Sequence, residues 1–120
     1  MKGFARFQRR ERIADASLVK AVRDVEAGLI DADLGGGLIK QRVARPGEGK
    51  RGGYRTVIAC RRGEMAVFLL GFGKNVRANI DDDELEDLRR QAQAFFGLSN
   101  EQIEAAIEED DLTEVAYEEE

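Results

Sequence analysis

Between Lys40 and Arg62 the chain carries eight basic side chains and one acid, Glu48. Histidine is absent and there is a single cysteine, Cys60. A histidine-based triad is therefore excluded, and zinc, which is held by sets of cysteine and histidine, has no ligand set to bind it. The acidic run Asp81-Asp82-Asp83-Glu84 could be imagined around magnesium, but it reads better as a helix start favoured by the helix dipole. Glycine runs at 35–37 and 47–53 match neither a phosphate loop nor a dinucleotide fingerprint. The residues call for no metal and no cofactor. What remains is a cationic site, and its natural ligand is a polyanion.

Metal-free cleavage of RNA needs a base for the 2′-hydroxyl, cations for the charge on the phosphorane and an acid for the 5′ leaving oxygen. Lysine and arginine supply the cations, and a lysine crowded by other cations can also move protons. The candidates are Lys40, Arg42 and Arg45 on a first strand and its exit, Lys50 and Arg51 in the following loop, Arg55 on a second strand, and Lys74 and Arg77 after a third. Each alone reads as a surface charge; together they can meet on one sheet face and its rim. Tyr54 alternates with Arg55, so only one of the two faces a cleft in a regular strand. Arg55 is expected there, with Tyr54 packed below. Phe72, at the end of the third strand, is the aromatic candidate for stacking on a base.

The elements that must position these residues can be read from periodicity. Phe4, Phe7 and Ile13 suggest a short helix over 3–12. A second helix, capped by Asp15 or Ser17, runs to about Ala27, with Leu18, Val22, Val25 and Leu29 on one face and Gly28 as its stop. The segment IDADLGGG (30–37) reads as a turn. LIKQRVA (38–44) alternates, with Leu38, Lys40, Arg42 and Ala44 on one face and Ile39, Gln41 and Val43 on the other. RPGEGKRGG (45–53) reads as a flexible loop that breaks the pairing. YRTVIACR (54–61) is a second strand, Arg62-Gly63 a tight turn, and the apolar run EMAVFLLGFG (64–73) a central, doubly covered third. A helix starts at Asp81 with Glu84 completing its cap, carries Leu85, Leu88, Ala92 and Phe95 or Phe96, and ends at Gly97. Ser99 and Gln102 repeat the capping pattern before Ile103, Ala106 and Ile107. The expected fold is α+β: N-terminal helices packed on a small antiparallel sheet of three strands or slightly more, followed by C-terminal helices.

The 120 residues fit one domain, 1–120, whose last part from about residue 99 is an acidic helix and tail. The formal net charge of −5 averages two unlike regions: residues 101–120 hold ten acids and no base, while the other hundred hold 19 bases against 14 acids. Either the tail folds over the basic cleft as a shield, or Ile103 and Ile107 anchor the last helix while the acids face water. The second is expected, because exposed ion pairs are weak and ordering a tail costs conformational entropy. The longest apolar stretch, Met65 to Phe72, is too short to span a membrane, the start of the chain lacks a signal-peptide pattern, and the lone cysteine fits a reducing compartment. Cytoplasm is the expected location.

The run GGGLIKQRVARPGEGKRGGYRTVIACRRGEMAVFLLGFGKNVRANIDDDEL (35–85) resembles the RelE/HigB-type toxins, in the phage-derived branch of the RelE/ParE superfamily. A looser likeness extends from Phe4 to about Val115. The resemblance implies two N-terminal helices on an antiparallel sheet, and a toxin encoded beside a neutralising antitoxin, often one with a helix-turn-helix domain. It further implies entry into the ribosomal A site and cleavage of messenger RNA, with the arginine of the GYR segment, Arg55 here, holding the phosphate. Arg45 and Lys50 fit the basic residues before it, and Lys74 and Arg77 fit the pattern after the third strand. Two positions depart from it: Asn75 stands where these enzymes have a second catalytic arginine, and Asp81 where they have a tyrosine. The assigned set is Arg55, Lys50, Lys74 and Arg45 as catalytic residues, with Lys40, Arg42, Arg51, Phe72 and Arg77 binding RNA. Two other functions remain open: a toxin that blocks a protein target such as DNA gyrase, and a nucleic-acid-binding accessory protein.

Overall fold

A computed structural model of the chain describes residues 2–45, 49–61, 63–73 and 80–115. Four helices and a four-stranded antiparallel sheet follow in the order α1 (Lys2–Glu11), α2 (Asp15–Glu26), β1 (Ala32–Gly35), β2 (Leu38–Arg45), β3 (Gly49–Arg61), β4 (Met65–Gly73), α3 (Asp82–Phe96) and α4 (Asn100–Glu108). The strands lie side by side in chain order, so every connection within the sheet is a hairpin.

Helices cover both faces. On one, α1 and α2 bury Phe4, Phe7, Leu18, Ala21 and Val25 against Ile39, Val43, Tyr54 and Ile58. The rings of Phe4 and Phe68 lie 4.9 Å apart, and Phe7 meets Tyr54 edge-on at 5.4 Å. On the other face α3 sets Leu88 and Ala92 against Leu38, Val57, Ala59 and Leu69. The Asp81 side chain caps α3 by accepting from the Glu84 N–H at 2.8 Å, and both halves of the Ser99–Gln102 capping box are formed at α4.

Several expectations need correction. A fourth strand, β1, stands within the segment read as a turn. Its Ala-Asp-Leu-Gly sequence has poor strand propensity, but β2 offers an edge to pair with and Leu34 packs towards α3. Gly36 and Gly37, which follow, do make the turn; with Gly35, the last residue of β1, they all have positive φ, and α3 clamps the segment: Arg89 donates to the Leu34 carbonyl and Gln93 to that of Gly36. The segment 45–53 does not break the pairing. Arg45 pairs with Gly49 and β3 begins there, after a register shift between Val43 and Arg45; residues 46–48 lie outside the described ones. Next to that shift Gly53 is indispensable, since a Cβ there would strike the Val43 carbonyl oxygen.

The apolar run of β4 reflects coverage from both faces, as expected, but β4 is an edge strand and β2 and β3 are the central ones. At α2 the N-cap is Ala14, with no side-chain cap from Asp15 or Ser17. Leu29 lies beyond the helix end and is 61% exposed, and the buried stripe of α2 is Leu18, Ala21 and Val25, with Val22 only half-buried. The Arg62-Gly63 turn is present in its described part: the Glu64 N–H donates to the Arg61 carbonyl at 3.0 Å and Gly63 has a φ of 78°.

Candidate nucleic-acid interface

Alternation along β2, β3 and β4 sorts the α3-side face of the sheet into three rows. Leu38 pairs with Ala59 and then Val67; Lys40 with Val57 and Leu70; Arg42 with Arg55 and Phe72. Polarity rises along that sequence of rows. α3 covers the first row with Leu88 and Ala92 and shares the apolar part of the second, whereas Lys40 is half-buried and Arg42 exposed. The apolar contacts of α3 thus lie on the first two rows, and the cations Lys40, Arg42 and Arg55 stand at the far end of this face.

Arg42 and Arg55 are direct cross-strand partners on one face. Like charges so placed destabilise a sheet, and no fold needs them there. Arg55 is half-buried, and its Nη1 is a buried atom with no hydrogen-bond partner among the described residues. Buried donors are almost always satisfied, so this nitrogen departs from the ordinary pattern of a folded interior. The neighbouring residue has the opposite environment. Tyr54 is buried behind the sheet, with its ring on Phe7 and its hydroxyl donating to the Glu11 carbonyl at 3.5 Å. The alternation expected for this pair is the one found.

The remaining candidates divide three ways. Lys40 and Arg42 share the face of Arg55. Phe72 stands beside Arg55 on β4 but is only 5% exposed, so it presents little ring surface to a base. Arg45 closes β2 and Lys50 and Arg51 open β3, which brings their backbone to the cleft end of the sheet. Lys74, Arg77 and the departing position Asn75 lie outside the described residues; Asp81 serves as the α3 cap.

Two residues that positioned the site went unassigned in the sequence. Gln41, 1% exposed, donates from Nε2 to the Leu29 carbonyl and accepts the Asp31 N–H at Oε1, at 2.9 and 3.1 Å. Its own carbonyl accepts from Thr56 Oγ1 at 2.7 Å. Asp31, pinned in this way, accepts the Arg42 N–H. A signal for Gln41 existed: it is the polar residue between Ile39 and Val43 on an otherwise apolar strand face. Among the described residues, no group of three acids, cysteines or histidines is placed to hold a metal ion, and no helix is long and apolar enough to cross a membrane.

The chain is thus a small α+β protein: an antiparallel sheet with two N-terminal helices on one face and, on the other, Arg42 and Arg55 as cross-strand neighbours. The family model described as RelE toxin of the RelE / RelB toxin-antitoxin system matches residues 1–115, and the chain belongs to that family. Among curated proteins and among solved structures, nothing matches it. Membership makes the chain a toxin of a toxin–antitoxin system, with a cognate antitoxin as its partner.

Proposed function

We propose that this toxin, of the HigB-like, phage-derived kind, is a metal-independent endoribonuclease that cuts messenger RNA on the ribosome, acting in the cytoplasm as one domain and silenced by a helix-turn-helix antitoxin. The observation that carries the reading is the buried, unpartnered Nη1 of Arg55 in a row of cations. A guanidinium so placed is ready to receive a phosphate oxygen, and because packing holds it in place it need not reorganise as charge develops on the phosphorane. Arg42 and Lys40 extend the positive surface along the phosphodiester chain. Arg45, Lys50 and Lys74 complete the proposed set, Lys50 or Lys74 moving the proton from the 2′-hydroxyl and returning one to the 5′ oxygen. Arg51 and Arg77 are assigned to binding RNA, whereas Phe72, 5% exposed, packs beside Arg55 rather than stacking on a base.

The test is induction of the toxin in cells followed by primer extension on abundant messages. New 5′ ends within translated regions, absent with Arg55→Ala, are the expected result. Growth arrest without such ends, together with loss of supercoiling activity of gyrase, would replace the reading with a toxin that blocks a protein target.

A further inference from the structure

The two arginines of the row meet different surroundings. Arg55 ends in a buried nitrogen with no partner among the described residues, whereas Arg42 has Asp31. One carboxylate oxygen of Asp31, Oδ2, accepts the backbone N–H of Arg42 at 2.6 Å and stands 3.8 Å from its Nε. The place of that carboxylate is fixed from behind, because the Asp31 N–H is held by the buried Gln41 side chain, itself tied to the Leu29 carbonyl. Asp31 leads into β1, and β1 flanks β2 on the side away from β3. The acid therefore lies on the opposite side of Arg42 from Arg55.

A phosphodiester between two guanidiniums offers one non-bridging oxygen to each, and it needs both held apart and aimed inward. Two like charges at directly opposed strand positions do not stay so arranged unaided; they repel and splay. An anchored carboxylate outside one of them supplies the missing restraint. We infer that Asp31 is a positioning residue: it holds the Arg42 guanidinium on the β1 side of the row, so that a singly charged phosphodiester seats between Arg42 and Arg55. This inference rests on the row being a phosphate site, as proposed above. It carries a consequence that a merely structural role does not. Asp31 cancels one positive charge beside the ligand, so it weakens the attraction for RNA while it improves the geometry for reaction.

Asp31→Asn separates the two effects. The amide keeps a carbonyl for the Arg42 N–H and the backbone N–H for Gln41, so the fold is retained, and circular dichroism checks that. Wild type, Asp31→Asn, Arg42→Gln, the double variant and Arg55→Ala are compared in two measurements: ribosome affinity over a salt series, and cleavage in a single turnover at saturating ribosome. Asp31→Asn is expected to bind about threefold tighter, with a salt slope steeper by at most roughly 0.7 to 0.9, the value of one positive charge no longer cancelled beside the phosphate. It is expected to cleave about tenfold more slowly, the scale of a misplaced reacting group. With Arg42→Gln already in place, the same change should alter either quantity less than about twofold, because its effect runs through Arg42. A wild-type cleavage rate for Asp31→Asn, or an effect that persists in full beside Arg42→Gln, overturns the inference. Arg55→Ala keeps the two failures apart: if it cleaves normally, the row is not the reaction site at all. If it is inactive while the Asp31 and Arg42 changes are simply additive, only the positioning role fails.

Discussion

Tyr54 and Arg55 are consecutive residues of one strand, yet they belong to two differently built regions. Behind the sheet, Tyr54 lies among Phe4, Phe7, Leu18 and Val43, with its hydroxyl on a backbone carbonyl. In front, Arg55 stands opposite another arginine with a buried nitrogen unsatisfied. The back follows the ordinary rules of a core: apolar rings in contact and polar atoms paired. The front breaks two of those rules within one row of residues. A fold tolerates such violations where function requires them, and the stability lost in front is supplied by packing behind.

If that division is right, damage on the two sides should differ in kind. The largest effect is expected from Phe7→Ala, which removes a buried ring from contact with Phe4 and Tyr54. A loss of about 3–5 kcal/mol of stability should follow, measured by urea unfolding, with toxicity vanishing only because the fold is lost. Arg55→Met should do the reverse. Removing a preorganised charge stabiliser typically costs about 10²–10³ in rate, while removing an unsatisfied buried donor relieves a penalty of about 1–3 kcal/mol. The variant is therefore expected to be inactive in single-turnover cleavage and as stable as wild type, or more so. A marked drop in its unfolding midpoint would mean that Arg55 has a structural role, and the contrast between the two faces would fail.

The sequence makes the back legible and the front only in part. Alternation in LIKQRVA separates Lys40 and Arg42 from Ile39, Gln41 and Val43, and the structure keeps that separation. The helix stripes and caps of α3 and α4 are equally plain, because their signals are local. What periodicity misses is non-local. β1 exists because β2 has an edge for it, against its own propensity. The glycine-rich start of β3 looks like a loop, since glycine disfavours strands, and only the close approach of Gly53 to Val43 explains why glycine stands there. The edge position of β4 depends on strand order, which a doubly covered apolar run cannot reveal. Asp31 is invisible for the same reason: its partner, Arg42, is eleven residues away and is reached through a backbone N–H.

Gln41 joins the two regions, and a smaller effect should expose that link. Gln41→Ala leaves the Asp31 N–H and the Leu29 carbonyl without their partner. A cost of about 1–3 kcal/mol is expected for an abandoned buried hydrogen-bonding site, read as a shift in the urea midpoint at unchanged slope. Because Asp31 is then no longer held, cleavage should fall beyond what the fraction unfolded accounts for. Full activity of the folded fraction would show that the buried amide supports the sheet but does not set the place of the arginines.

The smallest effect is expected at the acidic C-terminal part, where composition is most conspicuous. The structure places its described residues with the back of the molecule. Ile103, Ala106 and Ile107 of α4 are half-buried, and Val115 packs against the cluster that contains Phe4, Phe7 and Tyr54. Leu112 to Val115 line a groove with Phe4, Ala5 and Gln8 of α1. Glu108, Glu109, Asp110, Asp111 and Glu114 are exposed, and no residue of the Arg42–Arg55 row lines the groove that this segment borders. Charges so separated act on the cleft only through solvent, where screening over about 8 Å at physiological salt leaves little. Replacing these five acids by glutamine or asparagine should therefore change ribosome affinity at physiological salt less than about threefold. Val115→Ala, in contrast, should lower stability by roughly 1 kcal/mol, since it strips apolar contact from the back cluster. A tenfold gain in affinity on neutralising the acids, with stability unchanged, would place them over the cleft and make this segment part of the front after all.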